Sequence, residues 1–356
     1  MSARLYLDWN ASTPLRPESR AAMIAAMDLC GNASSIHAEG RAVRGLIEKA
    51  RGQVSQALGA DGADIVFTSG ATEAAALALA GRGLHCAGVE HDAVAVWCTQ
   101  DLSADATGKV VLTNPAASAL QLANSETGIV QDLPAGLAVS DLTQAFGKLP
   151  FAFNWLGCDM GLVSAHKLGG PKGCGALVLK RGLDVAAQIK GGGQEMGRRA
   201  GTENVIGIAG FGAAAECAAR DLANGVWDAV AEIRNTLEHA LEAECPGIIL
   251  VSKGQPRLPN TINLIAPGWK GETQVMAMDL QGFAVSAGSA CSSGKVSASR
   301  VLRSMGYGDA DAGSALRLSI GPGIGRDDAL RFAAAYAKAW ARAGERMKRA
   351  GESLPR

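Results

Sequence analysis

The chain has 356 residues, and its 34 basic side chains balance 34 acidic ones to a formal net charge of zero. A protein that grips nucleic acid by displacing counterions needs a surplus of Lys and Arg, so direct nucleic-acid binding is not expected. With 48% hydrophobic and 19% charged residues, the sequence has apolar surface enough for one large domain or two smaller ones, and this excludes disorder as its main state.

Residues 16–29 read as a helix, with Pro17 suited to its first turn and Ala21, Ile24, Ala25 and Met27 behind it. Residues 36–58 read as a longer helix. A short strand at 64–68 then runs directly into Ser69-Gly70-Ala71-Thr72-Glu73 and an Ala/Leu helix. Further short apolar runs bounded by turns, at 110–112, 120–123, 137–139, 160–163 and 176–179, read as strands. Strands interleaved with helices predict an α/β fold with a mainly parallel sheet covered on both faces. Two long helices are expected at 202–222 and 225–244. After Pro246 the pattern changes to short strands at 248–251, 261–265 and 315–320, with a helix from Glu272 and a last helix at 326–349. A domain boundary is placed near residue 250.

Eight cysteines are scattered along the chain and none forms a C-x-x-C pair, so zinc and thioredoxin-like readings fail and no metal site is expected. The scatter fits reduced, mostly buried thiols of a cytoplasmic protein. The first ten residues carry Arg4 and Asp8 and no apolar signal-peptide core, and no apolar run reaches membrane-span length, so no membrane association is expected.

Four clusters carry chemistry. Thr68-Ser-Gly-Ala-Thr-Glu73 opens a helix at a strand end, where free N–H groups and the Thr72 hydroxyl make an anion cup or, equally, an ordinary helix cap. In Ser164-Ala-His-Lys-Leu-Gly-Gly-Pro-Lys-Gly173, Lys167 follows a strand in a turn too glycine-rich for a helix interior. A lysine so placed, flanked by hydroxyl and imidazole donors, suits a Schiff-base lysine beside phosphate ligands. Asp141 ends another strand and is placed to hold a protonated pyridine nitrogen, although alone it reads as a helix cap. His91 ends a third strand. In open α/β sheets ligands collect at the carboxyl ends of strands, which is where Thr72, His91, Asp141 and Lys167 all fall.

The motifs T-S-G-A-T-E, E-H, D-x-x-Q, S-x-H-K-x-x-G-P-K-G-x-G and R-x-G-T-E-N, in this order, resemble the class V aminotransferases, which are fold-type I pyridoxal-phosphate enzymes. Within them the match is to the cysteine desulfurases, over about nine-tenths of the chain. Ser286-Ala-Gly-Ser-Ala-Cys-Ser-Ser293 resembles the loop that carries the nucleophilic cysteine in the subgroup with a long catalytic loop. A cysteine among Ser, Gly and Ala has little apolar cover, which favours Cys291 as a reachable thiolate, helped by Lys295 and Arg300 where they face it. The other seven cysteines read as thiols in apolar helix or strand settings.

The resemblance implies a large domain of residues 15–250, built on a mainly parallel, seven-stranded-type sheet, and a smaller α+β domain of 1–14 and 251–356 that carries the cysteine loop. It implies pyridoxal 5′-phosphate as cofactor, with Lys167 carrying it and shuttling protons. Asp141 pairs with the ring nitrogen, Gln144 hydrogen-bonds the phenolic oxygen, and His91 stacks on the ring and serves in acid–base chemistry. Ala71 (through its backbone), Thr72, Ser164 and His166 hold the phosphate, while Thr202 reaches the phosphate of a neighbouring subunit, implying a homodimer. Arg317 clamps the substrate carboxylate, Asn32 lines the substrate side, and Ser125 stands where the family usually has a cofactor- or substrate-contacting Asn. The implied reaction removes sulfur from L-cysteine to give L-alanine and a persulfide on Cys291. A sulfur-acceptor protein such as an iron–sulfur scaffold follows, or tRNA thiolation. A selenocysteine lyase, another β-eliminating lyase and a weakly active cofactor-binding scaffold stay open as alternatives. The segments 91–125 and 128–141 are shorter than usual, so one face of the sheet is expected to have less helical cover.

Overall fold

In the computed structural model, which describes residues 4–288 and 298–349, the local signals set most element ends. After a first short strand β1 (Leu5–Tyr6), Pro17 occupies the first position of α1 (Pro17–Met27), where its missing N–H costs no hydrogen bond. The His37 ring accepts from Gly40 N and caps α2 (Ala38–Ala57). There follow β2 (Asp64–Thr68), α3 (Ala71–Leu79), β3 (His85–Ala87), α4 (Asp92–Ala95) and β4 (Thr99–Leu102). Beyond a long irregular stretch come β5 (Leu137–Asp141), β6 (Cys158–Ser164) and β7 (Gly175–Leu179). Asn204 caps α5 (Val205–Ala223) by accepting from Gly207 N, and the left-handed Gly225 (φ 69°) separates it from α6 (Val226–Glu244).

The central sheet has the order β2-β7-β6-β5. β7 runs antiparallel to both neighbours, and β5 and β6 are parallel. Residues 118–122 continue the sheet beyond β5 in extended conformation: Leu120 N donates to Val139 O, Leu122 N to Asp141 O, and Ala119 N to His85 O of β3, which pairs in parallel with β4. The layer is thus seven strand positions wide, and β7 alone opposes the common direction.

Two expected strands are not regular ones. The run 120–123 forms only isolated bridges, because β3 ends at Ala87 and the Glu90 side chain takes the Gln121 N–H at 2.8 Å in its place. Residues 110–112 have a single bridge, Ala104 to Val110, and Val110 N donates to the Gln131 side chain.

Successive strand residues point to opposite faces, and both faces are buried. Phe67, Val163 and Val178 join Val43, Ile47, Val54 and Phe211 of α2 and α5 in one core, whereas Val66, Leu162 and Leu177 join Ala74 and Leu77 of α3 in another. The short connection before β5 does not bare the sheet, since Leu137, Ala138 and Val139 are all buried.

The remaining elements are β8 (Ile249–Val251), β9 (Thr261–Ile265), α7 (Gly271–Asp279), β10 (Phe283–Ala284), β11 (Ser286–Ala287), α8 (Arg300–Ser304), α9 (Asp309–Ala312), β12 (Ala315–Ser319) and α10 (Arg326–Arg349). Their antiparallel sheet has the order β11-β12-β9-β8, and β1 pairs in parallel with β10. A third apolar core joins Leu5 and Leu7 to Ile262, Leu264, Leu316, Leu318, Phe332 and Tyr336, with Trp227, Leu237 and Leu241 of α6. No helix among the described residues is long and apolar enough to cross a membrane.

Gly175, at the start of β7, is where the sheet meets the turn before α3. A Cβ there would lie 2.6 Å from Val163 O and 2.7 Å from Gly70 Cα, both backbone atoms that cannot yield. Gly175→Ala should therefore destabilise the protein by about 1–3 kcal/mol through overpacking. Urea denaturation should show this as a lower midpoint with an unchanged slope.

Candidate active site

The carboxyl ends of β5 and β6, the start of α3 and the turn after β1 enclose a cavity of about 440 Å³. Ala71, Thr72, His91, Ser125, Asp141, Gln144, Ser164, His166, Lys167 and Arg317, ten of the residues singled out in the sequence, line it. Asn10, Ala11, Ser12 and Lys172 are also part of the wall.

Gly70 precedes α3 and offers no side chain to cap it, so the first N–H groups of the helix remain for a ligand, beside Thr72 and Ser164. The His166 ring meets Ser12 Oγ at 3.3 Å. Burial first, then the positive charges of Lys167, Lys172 and Lys148, push this imidazole down to about 4, so it is neutral at pH 7. Asp141 accepts from Thr143 N at 2.9 Å, the local capping bond its position suggests, and still faces the cavity. His91 caps α4 in the same manner: Nδ1 accepts from Ala93 N at 3.1 Å, which places the proton of the neutral ring on Nε2.

Lys167 is held by main-chain oxygens, with Nζ donating to Asn10 O at 2.6 Å and to Ala11 O at 2.9 Å. Asn10 is itself fully buried and tied on every side. Its N–H donates to Ser319 Oγ, its side-chain amide to Thr261 Oγ1 and Ser125 O, and its Oδ1 accepts from Asn260. The same Asn10 carbonyl also accepts from Gln144 Nε2 at 3.0 Å. Behind Gln144 lies Lys148, whose Nζ donates to Gln144 Oε1 at 2.9 Å and to Gln144 O at 3.2 Å. Burial, with Lys167 and Arg317 nearby, pulls this amine down to about 7.

Arg317 is almost fully buried on β12. Nη2 donates to Asp8 Oδ1 at 2.8 Å and Nη1 to Ser125 O at 3.2 Å, while Nε has no partner among the described residues. A buried guanidinium with an unused donor is poised for an incoming carboxylate. Ser125 thus contributes its carbonyl, which holds both Asn10 and Arg317. The second Asp8 oxygen accepts from Ser286 Oγ at 2.8 Å, at the strand that leads toward Cys291.

Two predicted residues are not brought to this cavity within the chain. Asn32 is exposed and uses Oδ1 to accept from Ser34 N, and Thr202 is exposed in the turn before α5. Cys291 and Lys295 lie outside the described residues. Arg300 is committed elsewhere: it donates to Glu90 O at 2.6 Å, Asp92 Oδ1 at 2.7 Å and Gln100 Oε1 at 2.8 Å, clasping the turn that bears His91. Of the cysteines expected in apolar settings, Cys30 is exposed beyond the end of α1 and Cys98 is half-buried, whereas Cys86, Cys158, Cys174, Cys217 and Cys245 are buried. Burial pushes the thiols of Cys158, Cys174 and Cys245 up to about 12.

Asn10, Asp8 and Lys148 were missed in the sequence. Asp8 counted there only as a charge among the first ten residues, and Lys148, between Gly147 and Leu149, looks like any lysine of a surface turn.

The aminotransferase class-V family model matches residues 5–99 and 86–332. A cysteine desulfurase of Frankia sp. (strain EuIK1) is 37% identical, over 99% of this chain and 94% of its own. The structure of a NifS-like protein from Rickettsia africae ESF-5 superposes with a TM-score of 0.85 at 30% identity, over 96% of this chain and 99% of its own. SspA in complex with cysteine gives a TM-score of 0.74 at 26% identity, over 89% and 99%.

The buried lysine behind Gln144 has a measurable cost. Its folded-state value, about 7, lies below the 10.5 of an ordinary lysine, so between these pH values the unfolded chain binds a proton that the folded one does not. Stability therefore rises with pH across that window, and the full desolvation cost is felt at and below pH 7. Lys148→Met should raise the melting temperature of the cofactor-free protein at pH 7, and the gain should shrink toward pH 10.

Proposed function

Because the chain belongs to the aminotransferase class-V family, we propose that it is a cysteine desulfurase working with pyridoxal 5′-phosphate in the cavity around Lys167. The observation that carries this is the convergence of a lysine amine, a carboxylate, an anion cup and a buried arginine with an open donor in one cavity of about 440 Å³. The donor set fits that cofactor. The N–H groups at the start of α3, with Thr72, Ser164 and neutral His166, suit the phosphate, Asp141 suits the ring nitrogen, and Gln144 the phenolic oxygen. Lys167 is the residue to hold the cofactor, and His91 the one to stack on its ring. When bound, the cofactor supplies an electron sink that lets bonds at the substrate's α- and β-carbons break.

The protein's own residues do the rest. Arg317 orients L-cysteine through its carboxylate, Asp8 and the Ser125 carbonyl keep the guanidinium in place, and Asn32 belongs to the substrate side of this reading. Lys167 takes the proton from the α-carbon, with His91 as the second acid–base group. The Cys291 thiolate then attacks the substrate sulfur. A sulfur–sulfur bond forms, the substrate's carbon–sulfur bond breaks with its electron pair passing to the β-carbon, and protonation there, with a proton returned from Lys167 to the α-carbon, yields L-alanine. In sum, L-cysteine and the Cys291 thiol give L-alanine and a persulfide on Cys291. That sulfur goes to an acceptor protein such as an iron–sulfur scaffold.

A homodimer in which Thr202 serves the partner's phosphate site is supported by the exposed Thr202 and by the apolar side chains left exposed around α1: Ile24, Met27, Leu29 and Ile36. The division into a cofactor-binding unit of residues 15–250 and a unit of 1–14 with 251–356 carrying Cys291 is supported by the third apolar core where it joins Leu5 and Leu7 to residues after 251, whereas α6, before that boundary, packs into the same core. Buried thiols along the chain support a reducing, cytoplasmic setting.

Cys291→Ser should abolish alanine formation from L-cysteine while the visible absorption of the bound cofactor survives. In the parent protein incubated with cysteine, mass spectrometry should find one added sulfur on the Cys291 peptide. Persistent alanine formation in the variant would remove Cys291 from the mechanism. Arg317→Lys should raise KM for cysteine about 10–100-fold, with a smaller change in kcat, because a point charge cannot reproduce the bidentate fork.

A further inference from the structure

A continuous chain of hydrogen bonds links two lysines across the cavity wall. Lys148 Nζ donates to Gln144 Oε1, Gln144 Nε2 donates to Asn10 O, and the same carbonyl accepts from Lys167 Nζ. Lys148 sits behind this chain. It is 2% exposed, does not line the cavity, and no carboxylate among the described residues lies within ion-pair distance of it. Gly147, at φ 74°, turns the chain so that the lysine reaches back to the amide one turn earlier. A surface role or a structural ion pair is therefore ruled out by where it lies.

The chemistry of the donors fixes what this contact does. The Lys148 nitrogen donates to two oxygens of Gln144, and the Asn10 carbonyl can accept from the amide's N–H but not from its oxygen. With Oε1 held by Lys148 and one N–H of Nε2 held by Asn10, the Gln144 amide has a single orientation, in which its second N–H is left for the cavity. Remove Lys148 and a buried amide oxygen loses its donor, so nothing on that side keeps the amide from turning over. We propose that Lys148 is a positioning residue: it locks the orientation of the Gln144 amide and, through it, sets the protonation of Lys167.

This rests on the reading that Lys167 holds pyridoxal 5′-phosphate and Gln144 meets its phenolic oxygen. Besides Lys148, the charged and titratable groups facing this region are Lys167, Arg317, Asp141, His91, His166 and Lys172. An amide N–H held against the phenolic oxygen draws charge from it and makes the neighbouring Lys167 nitrogen easier to deprotonate.

The test is an absorbance titration of the cofactor-loaded protein, which reads protonation of the cofactor-linked Lys167 nitrogen without turnover. In Lys148→Met the midpoint should move up by about 0.5–1 pH unit, the equivalent of one modest hydrogen bond. In a Gln144→Leu background the same substitution should move it far less, since the amide that transmits the effect is gone. An unchanged midpoint in Lys148→Met, or a full shift in the Gln144→Leu background, overturns the proposal. Lys148→Ala repeats the comparison where the methionine variant does not fold. If neither folds, Lys148 is a packing residue and the proposal falls. Lys167→Ala is the separate control: a visible band that survives there overturns the assignment of Lys167, whatever the Lys148 variants show.

Discussion

The amine of Lys167 lies 2.6 Å from Asn10 O and 2.9 Å from Ala11 O, and those two carbonyls belong to a segment that the rest of the molecule holds rigid. Asn10 is anchored to Thr261 and Asn260 at β9, to Ser319 at the end of β12 and to the Ser125 carbonyl. Two residues earlier, Asp8 pairs with Arg317. Strand β1 and the turn after it therefore fasten the antiparallel sheet to the carboxyl ends of the central one. Main-chain carbonyls thus keep the Lys167 amine in place, and the Asn10 carbonyl is shared with the Gln144 amide.

The electrostatics of the cavity follow from this arrangement. Lys167, Lys172, Lys148 and Arg317 crowd one region, and their mutual repulsion, on top of burial, lowers the affinity of His166 and Lys148 for protons. Such a wall is complementary to a ligand carrying a phosphate and a carboxylate, whose binding relieves the repulsion. Asp8 steers Arg317, and Glu126, raised by burial to about 7, accepts from Ser299 just beyond residues 289–297.

Arg300 illustrates how a sequence-based expectation is redirected by packing. Its position nine residues after Cys291 suggested a charge that favours a thiolate. In the fold its guanidinium clasps Glu90, Asp92 and Gln100, so it ties the start of α8 to the turn that bears His91. The cysteines separate in a similar way. Five are buried, and burial pushes the thiols of Cys158, Cys174 and Cys245 up to about 12, while Cys30 is exposed on a loop whose helix ended earlier than the apolar run suggested.

Much was legible in the linear chain because its signals are local. Alternating apolar runs, Pro17 at a helix start, and glycines beside Thr72 and Lys167 each report a conformation set within a few residues, and the cavity-lining set from Ala71 to Arg317 was implied by the family resemblance that such motifs carry. What the chain alone did not reveal depends on long-range approach. The Glu90 side chain that interrupts the run 120–123, the Asp8–Arg317 pair and the two carbonyls that seat Lys167 join residues between about 30 and 310 positions apart. Lys148 is the sharpest case. Its burial comes from the packing of distant segments around a turn, and no property of a lysine between Gly147 and Leu149 announces that water will be excluded from it. Local sequence determines which backbone shapes are cheap, and the tertiary fold decides which polar groups lose water and must find each other.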